Sequence, residues 1–70
     1  MNVDKKFMQI AWQHIPGSML QTQISDHLDS LEIADFIVEI EDKFNVDLPD
    51  HVFEENTVGD VLVILTEALK

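Results

Sequence analysis

The spacing of the large apolar residues constrains this chain more than any other feature. Between residues 30 and 44 they recur at intervals of three and four positions: Ile33, Phe36, Ile37, Ile40 and Phe44. At 100° per residue these side chains fall on one side of an α-helix, where each contributes roughly 1.5 to 3 kcal/mol when fully buried. Asp29 or Ser30 can cap the start of the helix, and Glu32 suits a capping box with Asp29. The pattern predicts a helix that runs to about Phe44.

Two other segments show the same spacing. A first helix, ended by Pro16-Gly17, is predicted from its inward-facing residues Val3, Phe7, Ile10, Ala11 and His14. A last helix, with Thr57 as its N-cap and Asp60 three residues on, is predicted from its own core residues Val58, Val61, Leu62, Leu65, Ala68 and Leu69.

The segments between the helices are rich in polar residues. Residues 18–29 follow no helical period, which predicts a surface connection with at most one helical turn. We expect some of its apolar side chains to pack inward, and the candidates are Met19, Leu20, Ile24 and Leu28. Residues 45–49 form the next connection, and residues 50–55 can form one short helix with Val52 and Phe53 facing inward. We therefore expect a single all-α domain over residues 1–70: a small four-helix bundle with three main helices and one short helix.

The charge of the chain limits its partners. The chain has fourteen Asp and Glu against four Lys and Arg, for a net charge of −10, which disfavours nucleic acid and anionic membranes as partners and favours a basic protein surface. Without cysteine, any thiol chemistry needs an imported group. The chain has no apolar signal region and no segment of membrane-spanning length, so we expect a cytoplasmic protein. We also expect a monomer.

A second stripe lies on the opposite side of the predicted helix of residues 30–44. This acidic stripe consists of Leu31, Asp35, Val38 and Asp42, and Glu32 and Glu39 lie beside it. Two apolar residues framed by acids suggest a docking surface, although scattered exposed apolar side chains are the alternative on the pattern alone.

Other residues have simpler explanations than a site. Ser30 is most simply an N-cap, since no G-x-S-x-G surrounds it and His27 is the only base nearby, which argues against a hydrolase. The acidic segment of residues 45–56 does not fit a calcium loop, because Asp50 stands where Gly is needed and Asn56 where Glu is needed. We expect structural or surface roles for His14, His27 and His51, and core packing for Trp12 and Met8.

Several short motifs, taken in order, make the chain resemble the acyl carrier protein family. The resemblance covers nearly the full length of the chain and is most specific over residues 28–61. These motifs are Asp29-Ser30-Leu31 at the start of an acidic helix, Glu41 followed by Phe44 and then Pro49, and Thr57-Val58-Gly59-Asp60-Val61 at the start of the last helix. The resemblance implies that Ser30 carries 4′-phosphopantetheine, attached by a separate phosphopantetheinyl transferase.

The resemblance further implies a non-enzymatic carrier that holds acyl intermediates as thioesters and delivers them in fatty-acid, polyketide or related biosynthesis. Its partners would be acyl-transferring, ketosynthase or ligase-type enzymes with basic docking surfaces. The implied docking residues, all in or next to the acidic helix, are Asp29, Leu31, Glu32, Asp35, Val38, Glu39, Glu41 and Asp42.

The sequence departs from the family pattern just before the serine. His27 stands where the family usually has Gly, Asp26 where it usually has Leu, and the first helix and its following loop look shorter than in typical members. These departures favour a specialised free-standing carrier for polyketide or another secondary pathway. An unmodified acidic interaction module is the alternative of a different class, whereas a peptidyl or aminoacyl carrier commonly has a Gly-Gly pair that HLDSL lacks.

Overall fold

The computed structural model describes residues 2–48 and 57–70. Within these ranges the chain forms three α-helices, α1 (Val3–His14), α2 (Ser30–Phe44) and α3 (Val58–Ala68), and a 3₁₀ turn (Ile24–Asp26) in the first connection. These ranges contain no strand beyond an isolated bridge between Gln23 and Thr57. The predicted all-α class is confirmed. The predicted short helix at residues 50–55 lies outside the described ranges, so the count of four helices stays a prediction.

The helices begin and end where local chemistry supplies the missing hydrogen bonds. The Asn2 side chain accepts a bond from the N–H of Lys5 at the start of α1. At the end of α2, Asn45 adopts a left-handed conformation with φ of 55°, and its N–H donates to the carbonyl of Glu41. Asparagine is one of the few residues that adopt this conformation readily, so it ends the helix without the help of glycine.

The core lies between the three helices and takes in the first connection. The ring centroids of Phe7 in α1 and Phe36 in α2 are 6.2 Å apart, and both side chains are fully buried. The predicted buried face of α2 is confirmed at every position. In the first connection, Ile24 and Leu28 are the residues that pack inward, whereas Met19 and Leu20 are exposed.

Three predicted core positions are wrong. Trp12 is 53% exposed, because it lies on the flank of α1 rather than on its buried face, and its Nε1 donates to the carbonyl of Ser18 at 2.8 Å. Tryptophan commonly adopts such a compromise, with a partly covered ring and a satisfied N–H. Met8, in contrast, packs against the core. In α3 the buried face ends at Leu65, so Ala68 and Leu69 in the last turn lie beyond the core and are exposed.

The first connection is attached to the start of α3 by backbone hydrogen bonds. The carbonyls of Leu20 and Thr22 accept bonds from the N–H groups of Gly59 (2.7 Å) and Val58 (2.9 Å). Both donors belong to the first turn of a helix, where no carbonyl of the helix itself can reach them. A Cβ on Gly59 would lie 2.9 Å from the carbonyl oxygen of Leu20. Glycine at this position therefore allows the loop and the helix to meet.

A Gly59→Ala substitution tests this close approach. Alanine favours a helix over glycine by about 1 kcal/mol, yet the forced shift of a hydrogen-bonded backbone costs about 1 to 3 kcal/mol and should exceed that gain. We expect a net loss of stability in urea unfolding followed by circular dichroism. Val63→Ala, an exposed change one turn further along the same side of α3, should alter stability by less than about 0.5 kcal/mol. An unchanged midpoint for Gly59→Ala would contradict the predicted clash.

Candidate functional site

The start of α2 is held by buried residues just before it. Ile24 and Leu28 are buried, and the N–H of Leu28 donates to the carbonyl of Ile24 at 3.0 Å across the 3₁₀ turn. Asp29 then continues in an extended conformation, with φ of −81° and ψ of 179°. The chain therefore enters α2 from a fixed point on the core, which determines where the first helical side chains emerge.

Asp29 and Glu32 form the predicted capping box. Asp29 Oδ1 accepts a bond from the N–H of Glu32 at 2.8 Å, and Glu32 Oε1 accepts one from the N–H of Asp29 at 3.0 Å. The interpretation of Ser30 as an N-cap is wrong, because Asp29 occupies the cap and Ser30 is the first helical residue. The Ser30 side chain is exposed and takes no part in the capping box.

Ser30 also stands beside unpaired backbone donors. Within residues 2–48 and 57–70, no group accepts a hydrogen bond from the N–H of Ser30 or of Leu31. Such donors and the helix dipole favour an anion by roughly 0.3 to 1 kcal/mol, which the nearby Asp29 carboxylate partly opposes. A phosphate ester on Ser30 would lie at this position. The arrangement thus suits an accessible hydroxyl that receives an anionic group.

The departure at His27 is accommodated by the backbone. His27 has φ of −121° and ψ of −27°, which is open to any L-residue, so the position does not require the glycine that the family usually has. The His27 side chain is exposed, and no hydrogen bond joins it to Ser30. Among the described residues, no side chain is therefore positioned as a base for the Ser30 hydroxyl.

The acidic stripe is open to solvent along its length. The Leu31 side chain is 77% exposed and the Val38 side chain is 52% exposed. Asp35, which lies between them along the stripe, and Asp42, one turn after Val38, are exposed as well. Neither aspartate has a hydrogen bond or ion pair to another described residue. Their carboxylates are thus available to a second molecule, whereas the Asp29 and Glu32 carboxylates, though exposed, are engaged in the capping box.

Glu39 and Glu41 are placed differently from the stripe they were predicted to flank. Glu39 is partly buried and accepts a bond from His14 Nε2 at 3.0 Å, which joins α2 to α1. Glu41 is also partly buried, and its Oε2 accepts a bond from the N–H of Leu48 at 2.8 Å. Both carboxylates therefore hold internal structure, on opposite sides of the stripe, and their part in docking stays a prediction.

The histidines and acids that the structure describes do not converge on a metal. No three His, Asp or Glu side chains among the described residues are placed to hold a metal ion. His14 contacts the Phe36 ring, with centroids 5.2 Å apart, in addition to its bond with Glu39, so it has the structural role expected of it. His51 lies outside the described ranges. None of the described helices is both long and apolar enough to cross a membrane.

Comparison with known families identifies the kind of site. A family model described as the phosphopantetheine attachment site matches residues 15–62, a range that includes all of α2 and the first turn of α3. The chain belongs to this family. The predicted resemblance is therefore confirmed, and with it covalent 4′-phosphopantetheine as the group that such a domain carries. No solved structure matches the chain significantly.

Gly59 was missing from the predicted site, although it lies in one of the motifs that carry the resemblance. Its bond to Leu20 attaches the first connection, which leads to Ser30, to the start of α3. A glycine in the first turn of a predicted helix is an unfavourable choice for the helix alone. That local conflict is the signal in the sequence that points to a close backbone contact.

Substitutions at Asp29 separate its hydrogen bond from its charge. Asp29→Ala removes the acceptor for the Glu32 N–H and should cost about 1 kcal/mol of folding stability, whereas Asp29→Asn keeps a good cap and should cost only a few tenths. Thermal or urea unfolding measures both. Equal losses in the two variants would mean that the carboxylate charge, and not the capping bond, stabilises the start of α2.

Proposed function

We propose that this chain is an acyl carrier protein that bears 4′-phosphopantetheine on Ser30 and delivers acyl intermediates to partner enzymes. One observation carries the proposal: in a chain of the attachment-site family, Ser30 is an exposed first residue of α2 whose hydroxyl is left free by the Asp29 cap. Ser30 lies in the Asp29-Ser30-Leu31 motif that resembles the family's modified serine. The cargo would be an intermediate of fatty-acid, polyketide or related biosynthesis.

The residues around Ser30 each have a part in this role. Ser30 Oγ forms a bond to the phosphorus of the phosphopantetheinyl group of coenzyme A, while the pyrophosphate bond breaks and adenosine 3′,5′-bisphosphate leaves. A separate phosphopantetheinyl transferase supplies the base, which no described residue provides near Ser30. The unpaired N–H groups of Ser30 and Leu31 favour the resulting anionic ester. The capping box holds the attachment point at a fixed place on α2.

The attached group supplies the thiol that this chain does not have, and with it the means to hold an acyl group as a thioester. The chain contains no cysteine, so no side chain competes for the acyl group by thiol exchange. The protein itself positions the arm and is recognised by enzymes that catalyse the reactions. This division of labour makes it a carrier rather than an enzyme.

The acidic stripe is the proposed docking surface for these enzymes. Asp35 and Asp42 would attract Lys- and Arg-rich surfaces, while Leu31 and Val38 would provide a small apolar contact. Exposed charges speed the encounter and weaken with salt, and a small contact releases quickly. Both properties suit a protein that must visit several enzymes in turn.

The intact mass of the protein tests the attachment. The protein is incubated with coenzyme A and a broad-specificity phosphopantetheinyl transferase, beside Ser30→Ala and, as a matched control, Ser25→Ala at another exposed serine just upstream. We expect the wild type and Ser25→Ala to gain one phosphopantetheinyl group and Ser30→Ala to gain none. No gain in folded wild-type protein, or a gain in Ser30→Ala, would contradict the proposal and favour an unmodified interaction module or another attachment residue.

The same transfer reaction tests the docking surface. Asp35→Lys should lower kcat/KM of the transferase by about 1.5- to fivefold at low salt, because an exposed ion pair contributes about 0.2 to 1 kcal/mol. The effect should shrink at high salt. Glu67→Lys makes the same charge change on α3, where Glu67 is exposed beside Lys70, and should leave kcat/KM nearly unchanged. Equal effects of the two variants would mean that net charge alone, and not the acidic stripe, governs recognition.

A further inference from the structure

Ser18 places a hydroxyl group inside the protein without a hydrogen-bond partner. The residue is only 5% exposed, and its Oγ, which is buried as well, has no partner among the described residues. A hydroxyl that leaves water without gaining a partner destabilises the folded state, and alanine at the same position would avoid that penalty. An unsatisfied group of this kind therefore calls for an explanation other than packing.

Ser18 begins a short segment that connects the end of α1 with the start of α3. This segment, the strap, consists of residues 18–23. The carbonyl of Ser18 accepts a bond from Trp12 Nε1 at 2.8 Å, and the carbonyls of Leu20 and Thr22 accept bonds from the first turn of α3. Backbone carbonyls of the strap are thus bonded to both helices.

Little apolar burial holds the middle of the strap in place. Met19 and Leu20 are at least half exposed, and Gln21 is exposed as well. The buried apolar side chains on either side, Ile15 and Ile24, lie outside the strap. Segments with few buried apolar contacts are those that open locally at the lowest free energy. The closed position of the strap therefore depends mainly on its hydrogen bonds.

Gly17 provides a hinge at the α1 end of the strap. Its φ of 75° lies in the left-handed region, and no atom lies within 4 Å of the place that a Cβ would take. Glycine adopts positive and negative φ about equally well, so this position can absorb a change of backbone direction. At the other end, Ile24 is fully buried and fixes the chain to the core.

We propose that the strap is a lid, which opens from the first turn of α3 while the three helices stay folded, and that the Ser18 hydroxyl promotes its opening. In the closed state the hydroxyl is buried and unpaired, whereas in the open state water hydrates it, so it shifts the equilibrium towards opening. Opening frees the N–H groups of Val58 and Gly59. It also uncovers the core beside Val58, which is fully buried when the strap is closed.

Amide hydrogen exchange followed by NMR tests the opening. Val58 and Gly59 report on the strap, because their N–H groups donate to it. Val61, whose N–H donates to the carbonyl of Thr57, reports on fraying of α3, and Ile40 in the middle of α2 reports on global unfolding. After correction for intrinsic rates, we expect Val58 and Gly59 to exchange at least about tenfold faster than Val61 and Ile40, and with less dependence on urea.

Two results in the wild type would overturn the proposal. Equal protection of Val58, Gly59 and Val61 would mean that the start of α3 frays as a unit. Equal protection of all these residues and Ile40 would mean that the strap opens only when the whole protein unfolds.

A Ser18→Ala substitution tests the part of the hydroxyl. It should slow the exchange of Val58 and Gly59 by about five- to 150-fold, the range that an unpaired buried hydroxyl implies. The indole N–H of Trp12, the only tryptophan in the chain, is bonded to the Ser18 carbonyl and should slow by a similar factor. Ser25→Ala, at an exposed serine in the same connection, is the matched control and should leave all three rates unchanged.

The outcomes of this substitution decide between hydration and an unpaired hydroxyl. Unchanged exchange of Val58 and Gly59 in Ser18→Ala, or a variant less stable than the wild type in urea unfolding, would overturn the proposal, because the hydroxyl would then be bonded to water inside the closed protein. Slower exchange of Ile40 alone would also overturn it, because Ser18 would then be released only by global unfolding.

Discussion

The capping box between Asp29 and Glu32 fixes where α2 begins, and the position of Ser30 depends on that start. Its two hydrogen bonds fix Ser30 as the first helical residue. Side chains advance by about 100° per residue along the helix. Burial of Phe36 on the core side therefore leaves Leu31 and Val38 on the exposed side. The capping box also leaves the Ser30 hydroxyl free, since the cap uses the neighbouring carboxylate.

The acidic residues of α2 fall into two groups, which differ in burial and in hydrogen-bond partners. Glu39 and Glu41 are bonded to His14 and to the backbone of Leu48, so they fasten α2 to α1 and to the following connection. Asp35 and Asp42 have no such bonds among the described residues and face solvent. The acidic helix of this chain thus contains both carboxylates that hold internal structure and carboxylates left open to solvent, and the sequence alone does not tell them apart. The burial of each carboxylate and its distance to a hydrogen-bond partner distinguish the two groups.

The bounds of α2 and its buried face could be predicted because strong local signals agree there: a capping pair, a regular apolar spacing and an asparagine at the end. Trp12 was misplaced because a helical pattern gives the direction of a side chain but not how far the neighbouring helices extend over it. The contact of Gly59 with Leu20 joins residues far apart in sequence, and no local pattern predicts such a partner. Ser30 as the attachment residue rests on the resemblance and stays a prediction, since an exposed serine at a helix start has no chemical signature of its own.

We propose that Ser30 carries the phosphopantetheine arm in the living cell. The most direct test is mass spectrometry of the protein purified from its own cells, with fragmentation of the peptide that spans Asp29-Ser30-Leu31. We expect this peptide to carry a phosphopantetheinyl group, free or acylated, and the fragments to locate the group on Ser30. Recovery of the protein without the group, or with the group on a different residue, would contradict this role of Ser30.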